Sequence, residues 1–458
     1  MNTRLRLLLR HITYNLRGGF LLRPLAIALT LGCAGALLSE LEETVPGVSV
    51  WVPKILFPSH ADPQVAQVIL GAIATSIMTV VSIVFAILLM TLTLASMQFS
   101  PRIIVSFARD RVTQWTLGIF LGTFSYCMAA LPAARSLPRP FAPVTTVLGA
   151  MLLALACVAW LLFFIHHITQ AISASHIVDR IASETEAVID EFMPQPHMDN
   201  HPRDANLIDP SSWTPAVLNE SSGYIRFVDT KRLTFLAKKY RIQIHLLRRV
   251  GHFVPAGIPL LLVSKEDRLS TENSAEFRGA FDIGPTRTLQ QDVEFGVLQI
   301  VDIALKAISP AVNDPTTAIG CVDQLSRILI RYISKEPPES LFFDPPGVVR
   351  VSVPWISFDR LLDSAFGQIH LYAKGDAAVS LRILRALGDI AVTTQDRSFR
   401  ASLVEFGRRV VAGCAEKLGK EELKEMGNRL ASLEKVLARP ETLPLIPQGG
   451  TDKSTDGH

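Results

Sequence analysis

Polarity divides the chain into two stretches of different character. Residues 144–165 (VTTVLGAMLLALACVAWLLFFI) form one uncharged apolar run, and residues 65–97 form a longer one of 33 residues. A helix needs about 20 apolar residues to cross a bilayer, at 1.5 Å per residue over roughly 30 Å of hydrocarbon. A helix over 65–97 would be about 50 Å long, so it must tilt or protrude. Residues 115–131, stopped by Pro132, make a shorter run. Residues 21–38 make the weakest, with Arg23 at one end and Glu40 just beyond the other, both placed to snorkel. The pattern predicts a four-span α-helical transmembrane bundle over 21–168, entered through a basic, amphipathic interfacial segment at 1–20. The first span reads as a retained anchor, because no A-x-A site ends its apolar core.

Beyond residue 168 the periodicity becomes that of an ordinary globular sequence. Residues 169–193 predict a polar helix continuing the last span, ended by Pro194 and Pro196, and the linker runs on to 222. Residues 223–285 predict a small α/β, barrel-like subdomain: a strand at Gly223–Asp229, a helix at Thr230–Tyr240 and a strand at Ile242–Val250. Gly251 and Gly257 follow, where tight turns need positive φ. The spacing around them looks like a turn of the small lipoyl-type barrels, without the lysine that carries a swinging cofactor. Residues 286–438 are mainly helical, with helices at Asp292–Ser309 and Asp314–Ser334, a short strand at Val348–Val353, and helices near 357–372, 376–395, 399–418 and 421–438. Residues 439–458 read as a disordered tail.

Charge fixes the expected orientation. Arg4, Arg6, Arg10, Arg17 and Arg23 precede the first span, and Arg102, Arg109 and Arg111 separate the second from the third. The opposite side carries Lys54, Arg135 and Arg139. The basic side is cytoplasmic by the positive-inside rule, which places both termini and the soluble domain there. The fold class expected is therefore a four-span α-helical bundle plus a mixed α/β, mainly helical cytoplasmic domain. Mean hydropathy is +0.31. The formal net charge of +3 gives no reason to expect a nucleic-acid partner. Five cysteines, at 33, 127, 157, 321 and 414, have neither metal-ligand nor redox spacing. No Walker loop, dinucleotide fingerprint, HExxH or nucleophile elbow occurs. No cofactor, no metal and no catalytic residue is expected.

Three groups of residues stand out. Thr75, Thr79, Ser82, Ala86 and Thr93 recur at helical spacing along the second span. They line either a conduit or a tightly packed helix contact, and packing is the commoner use of small and hydroxyl residues. Ser100, Arg102, Arg109, Arg111 and Gln114 form a basic, hydrogen-bonding stretch after that span, suited to lipid headgroups or to docking the soluble domain. In the soluble part, RTLQQDVEFGVLQIVDIALKAISPAVNDPTTAIG (287–320) is the densest passage. Arg287, Asp292, Ser309, Asn313, Asp314, Thr316 and Thr317 mark a ligand or interface turn, with Asp314 and Pro315 as helix cap and first helical residue. The ordinary reading is a helix–turn–helix; the sharper one is an anion site at the helix start, with Arg287 and Lys306 as countercharge.

With QFSPR at 98–102, DR at 110–111, RTLQQDVEFG and LKAISPAVNDPTTA in view, the chain resembles the bacterial membrane proteins grouped as domain of unknown function 2254. The resemblance runs from the spans to about residue 430. It implies an integral inner-membrane protein and carries no activity, substrate or catalytic residue with it.

No span holds a carboxylate, Lys or Arg near its middle, which disfavours an ion-coupled transporter. Four spans are too few for a pore from one copy. The expected function is a homo-oligomeric, channel-like or transport-related protein with a cytoplasmic regulatory domain. The alternative is a membrane-anchored sensor or scaffold. The lipid bilayer and a second copy are the expected partners, with the small-molecule or ion ligand open.

Overall fold

A computed structural model describes residues 22–45, 62–98, 111–136, 140–171, 173–193, 210–336, 340–344 and 348–438. The segments expected at 1–20 and 439–458 lie outside these residues. The chain separates into two compact units, Met1–Ser173 and Ala174–His458.

Among the described residues, the first unit holds four helices long and apolar enough to cross a membrane. They are α1 (Leu22–Thr44), α2 (Pro63–Gln98), α3 (Arg111–Ala130) and α4 (Val144–Ala171). Helix α3 touches the other three and is their centre. Its approach to α1 is set by small residues. A Cβ on Gly35 would lie 2.6 Å from the Tyr126 carbonyl oxygen, and one on Gly122 2.4 Å from the Leu31 side chain. Glycine lets the backbones close to this distance, which is how apolar helices gain packing energy when they have little else to bury. Polar side chains then bond across the helices. Trp160 Nε1 donates to Thr116 Oγ1 at 2.9 Å, and the Tyr126 hydroxyl donates to the Thr146 carbonyl at 3.1 Å.

The last apolar helix and the polar helix after it are two elements, not the single continuous one expected. Helix α4 ends at Ala171, and α5 (Ala174–Phe192) opens the second unit. The strands of that unit are β1 (Thr214–Leu218), β2 (Gly223–Val228), β3 (Ile244–Leu246), β4 (Phe253–Val254), β5 (Pro259–Val263), β6 (Phe281–Gly284), β7 (Leu341–Asp344) and β8 (Val348–Ser352). Its further helices are α6 (Thr230–Tyr240), α7 (Thr271–Arg278), α8 (Val293–Ala307), α9 (Pro315–Ile333), α10 (Phe358–Tyr372), α11 (Ala377–Thr393), α12 (Arg397–Cys414) and α13 (Lys420–Ala438).

The strands form a five-stranded sheet in the order β1-β5-β3-β8-β7 and a three-stranded sheet in the order β4-β2-β6. Two expectations change here. In place of a closed barrel, the described residues form two separate sheets with linear strand orders. Nor does the expected boundary near residue 285 divide the fold, because Ile244 and His245 of β3 pair in parallel with Val351 and Ser352 of β8. The apolar faces explain this: Val351 and Val353 are buried with Leu246, Leu261 and Phe277 in one core. The strand expected over Ile242–Val250 also stops at Leu246, and the chain beyond it carries Arg248 and Arg249 towards a cleft.

The helices α8–α13 make the other half of the unit. Helix α8 packs on α5, α9 and α10, while α11 packs on α9, α12 and α13. Asp caps recur because a carboxylate satisfies amides at the helix start that lack an intrahelical partner. Asp229, Asp292, Asp314, Asp376 and Asp396 all accept from a backbone N–H in the following first turn.

Candidate functional site

The residues of RTLQQDVEFG assemble a buried ion network at the start of α8. Asp292 caps the helix by accepting from Phe295 N at 3.1 Å. Arg287 grips the same carboxylate with two hydrogen bonds, Nε to Oδ2 and Nη2 to Oδ1, each 2.8 Å. Its Nη2 also donates to Glu294 Oε2 at 3.0 Å, and Arg249 Nη2 donates to that oxygen at 2.9 Å. Ser364 of α10 donates to Glu294 Oε1 at 3.1 Å. Burial raises the Glu294 carboxyl, but Arg249 and Arg287 outweigh it and hold the group below the ordinary glutamate range. Gly251 adopts φ +87°, and a Cβ there would lie 2.4 Å from Asp292 Oδ2. The tight turn is what lets the network close. Gln291 Oε1 accepts from Val228 N at 2.9 Å and so ties the same segment to β2.

Above this network opens a cleft of 1080 Å³, the size range of small-molecule sites. Its walls come from the loop after β3, from α10 and from α12. Helical spacing on α10 delivers Arg360, Ser364, Gly367 and Leu371 to one side, with His370 beside them and Lys374 two residues beyond the helix end. Cations dominate: Arg248, Arg249, Arg287, Arg360, Lys374 and Arg409 line the cleft, against Glu294 and Asp363. Arg249 and Arg287 are neutralised by the network, and Arg409 pairs with Asp363 at 2.7 Å. Among the described residues, Arg248, Arg360 and Lys374 have no carboxylate partner. His370 is 5% exposed, and its Nδ1 has no hydrogen-bond partner among the described residues. Burial pushes the imidazole below its usual range, and Lys374 and Arg409 push it further; burial and Arg249 lower His252 in the same way.

The structure divides the soluble residues singled out in the sequence between the two ends of α8. Arg287 and Asp292 meet at its start. Ser309, Asn313, Asp314, Thr316 and Thr317 gather at its far end, about 20 Å away along a 15-residue helix. Arg287 therefore supplies no countercharge to the Asp314 turn. In that turn Asn313 takes the left-handed conformation, φ 51°. Asp314 accepts from Thr317 N at 3.1 Å and from Thr317 Oγ1 at 2.5 Å, Ser309 bonds back to the Lys306 carbonyl, and Thr316 is exposed. These bonds account for the turn as a helix junction.

On α2, the hydroxyls of Thr79, Ser82 and Thr93 donate to carbonyls four residues back in their own helix, at 3.0, 3.0 and 2.8 Å. Thr75, Thr79 and Ser82 share an open groove of 440 Å³ with Gly71, Ala74, Phe124 and others. Gln114 is buried on α3 and accepts from Arg23 at 3.2 Å, while Arg111 begins that helix, exposed. Ser100, Arg102 and Arg109 lie outside the described residues. Sequence reasoning missed Arg249, Glu294, Ser364 and His370. The signal for Glu294 was its charge within the otherwise apolar run VEFGVLQIV; nothing local marked the other three.

Comparison with known proteins gives one family, described as "Predicted membrane protein (DUF2254)", which matches residues 17–389. An uncharacterized protein of Mycobacterium tuberculosis and one of Mycobacterium bovis are each 30% identical to this chain over 436 residues, covering 93% of this chain and 82% of the relative. No solved structure matches.

Proposed function

Since the chain belongs to the predicted membrane protein family DUF2254, we propose that it is an integral protein of the bacterial inner membrane whose cytoplasmic unit receives an anionic solute. The observation that carries this reading is the cleft, where Arg248, Arg360 and Lys374 have no carboxylate partner among the described residues and stand beside a closed ion network. Unpaired cations in a concave wall attract anions and focus their field. The four apolar helices and the basic residues flanking them support a span in which both termini and the second unit face the cytoplasm. The protein is then a membrane-anchored receptor.

Two measurements test it. A reporter active only in the cytoplasm, fused after residue 180, should work, and activity of a periplasm-only reporter there would overturn the orientation. The full chain in mild detergent should gain thermal stability on titration with small polyanions. A flat response to every anion would overturn the receptor reading.

A second reading, an oligomer around a conduit, is favoured by the open groove at Thr75, Thr79 and Ser82. Cysteines at Thr79 and Ser82 separate the alternatives. Labelling by a water-soluble thiol reagent supports a conduit, and protection with crosslinking between copies supports packing.

A further inference from the structure

The inner end of the cleft has a composition that narrows the ligand. His370 and Lys374 project from the end of α10, and Arg409 and Gly413 face them from α12. The helices are brought together by a residue without a side chain: a Cβ on Gly413 would lie 2.6 Å from His370 Nε2 and 3.4 Å from the Lys374 side chain. His370 and Lys374 therefore converge over one small patch of bare backbone, with Arg409 near enough to lower the imidazole's pKa. The His370 imidazole is almost fully buried, and its Nδ1 has no hydrogen-bond partner among the described residues. An unpaired buried polar atom costs free energy unless a ligand or water meets it. A second pair of cations, Arg248 and Arg360, lies elsewhere on the same wall. Exposed apolar surface from Phe253 and Leu371 completes the lining.

We infer that the cleft binds a phosphorylated small molecule, its phosphoryl group held by His370, Lys374 and Arg409 and its apolar or planar body lying along Phe253 and Leu371. This rests on the receptor reading above and specifies its ligand class. A carboxylate brings one negative charge and two acceptor oxygens. A phosphate monoester brings between one and two charges near neutral pH and three acceptor oxygens. Only the latter matches three converging donors with no carboxylate among them but Asp363, which Arg409 already holds. Arg supplies a planar fork and Lys a point charge, and the two together commonly bind phosphate. The volume of 1080 Å³ exceeds what inorganic phosphate fills, so the body of the ligand has room. The remaining cations at Arg248 and Arg360 favour a molecule with a second anionic group.

The experiment is equilibrium binding by calorimetry on the full chain in detergent. The probes are inorganic pyrophosphate and adenosine 5′-monophosphate, with succinate as the dicarboxylate comparator. Both phosphates should bind, and succinate should bind more weakly by about ten-fold or more, near 1.4 kcal/mol. Lys374→Glu should weaken both phosphates by about ten-fold or more. The reversal Lys424→Glu on α13, away from the cleft, should leave them unchanged. Arg248→Glu, on a different element, repeats the test if Lys374→Glu fails to fold. Succinate binding as tightly as the phosphates would overturn the phosphoryl assignment and leave the receptor reading standing. No binding of any anion would overturn both. Phosphate binding unaffected by Lys374→Glu and Arg248→Glu alike would place the ligand elsewhere and overturn the site.

Discussion

Glu42, the third residue from the end of α1, caps the first turn of α4, which Val144 begins. Its Oε1 accepts from Thr145 N at 2.8 Å, and its Oε2 accepts from Thr146 N at 3.1 Å and from Thr146 Oγ1 at 3.0 Å. The residue is 2% exposed. A carboxylate at a helix start satisfies orphan amides and meets the positive end of the helix dipole. Glu42→Ala should therefore lower stability in detergent by about 1–3 kcal/mol, because buried N–H groups lose their acceptor. Glu42→Gln, which keeps one acceptor oxygen, should lose less. Thermal unfolding of the two variants measures the difference, and equal losses would mean that the charge, not the acceptor, is what matters.

Gly251 and Gly257 allow a paired comparison. Both adopt positive φ, +87° and +83°. A Cβ on Gly257 meets nothing within 4 Å, whereas one on Gly251 runs into Asp292 and Arg287. Gly257→Ala should cost only the backbone strain, about 1 kcal/mol. Gly251→Ala must also displace the ion network, so it should cost several kcal/mol, as other breaches of buried ion pairs do. Chemical denaturation of the two variants would show the gap, and similar losses would refute the packing argument.

Asp314 should behave as a helix cap. Asp314→Asn retains an acceptor for Thr317 N and should cost little, and Asp314→Ala about 1 kcal/mol. The hydrogen bonds from Thr317 hold this carboxyl below the ordinary aspartate range. A group whose folded pKa is depressed stabilises above its unfolded pKa and loses that contribution as pH falls through the folded value. The native protein should accordingly lose stability below about pH 4, and Asp314→Asn should flatten part of that acid limb. An acid limb that is identical in the variant would remove Asp314 from the account.

The two halves of the chain differ in how much their sequence discloses. A helix long and apolar enough to cross a membrane is legible because its cause is local: about twenty apolar residues in a row announce it without reference to the rest of the chain. The caps at Asp292 and Asp314 are legible for the same reason, since an aspartate before a first helical turn acts on amides three residues away. Contacts across sequence are not. The parallel pairing of β3 with β8 joins segments 107 residues apart, and no short-range pattern encodes it. Glu294 finds Arg249, and His370 finds Gly413, through tertiary packing alone. The ladder of Arg327 and Arg331 on α9, and Lys335 just beyond it, against Asp179, Glu186 and Asp190 on α5 is intermediate. Each helix shows its charged stripe, but only the fold pairs them. Functional residues drawn from several elements are consequently the last thing a single sequence yields.

The cleft makes one further expectation about pH. His252 and His370 both have imidazole pKa values lowered by burial and by neighbouring cations: Arg249 beside the first, Lys374 and Arg409 beside the second. Asp363, the carboxylate on the same face, is taken up by Arg409. Below the unfolded histidine pKa, near 6.5, the unfolded chain binds protons that the folded chain does not. Folding stability therefore rises with pH through that window and falls as the ligand-free protein is acidified from about pH 7 towards 5.5. An anion seated among Lys374 and Arg409 opposes their field and favours the imidazolium, so it should bring protons with it. Calorimetric titration with pyrophosphate in buffers of different ionisation heat should show the native protein taking up more protons, or releasing fewer, than His370→Gln between about pH 7.5 and 6.5. His370→Gln keeps a polar side chain but cannot titrate, so it leaves only the ligand's own ionisation and that of His252. Because cations also favour the more ionised form of pyrophosphate, the histidine's share is the difference between the native protein and His370→Gln, and an identical proton balance in the two would remove His370 from the linkage.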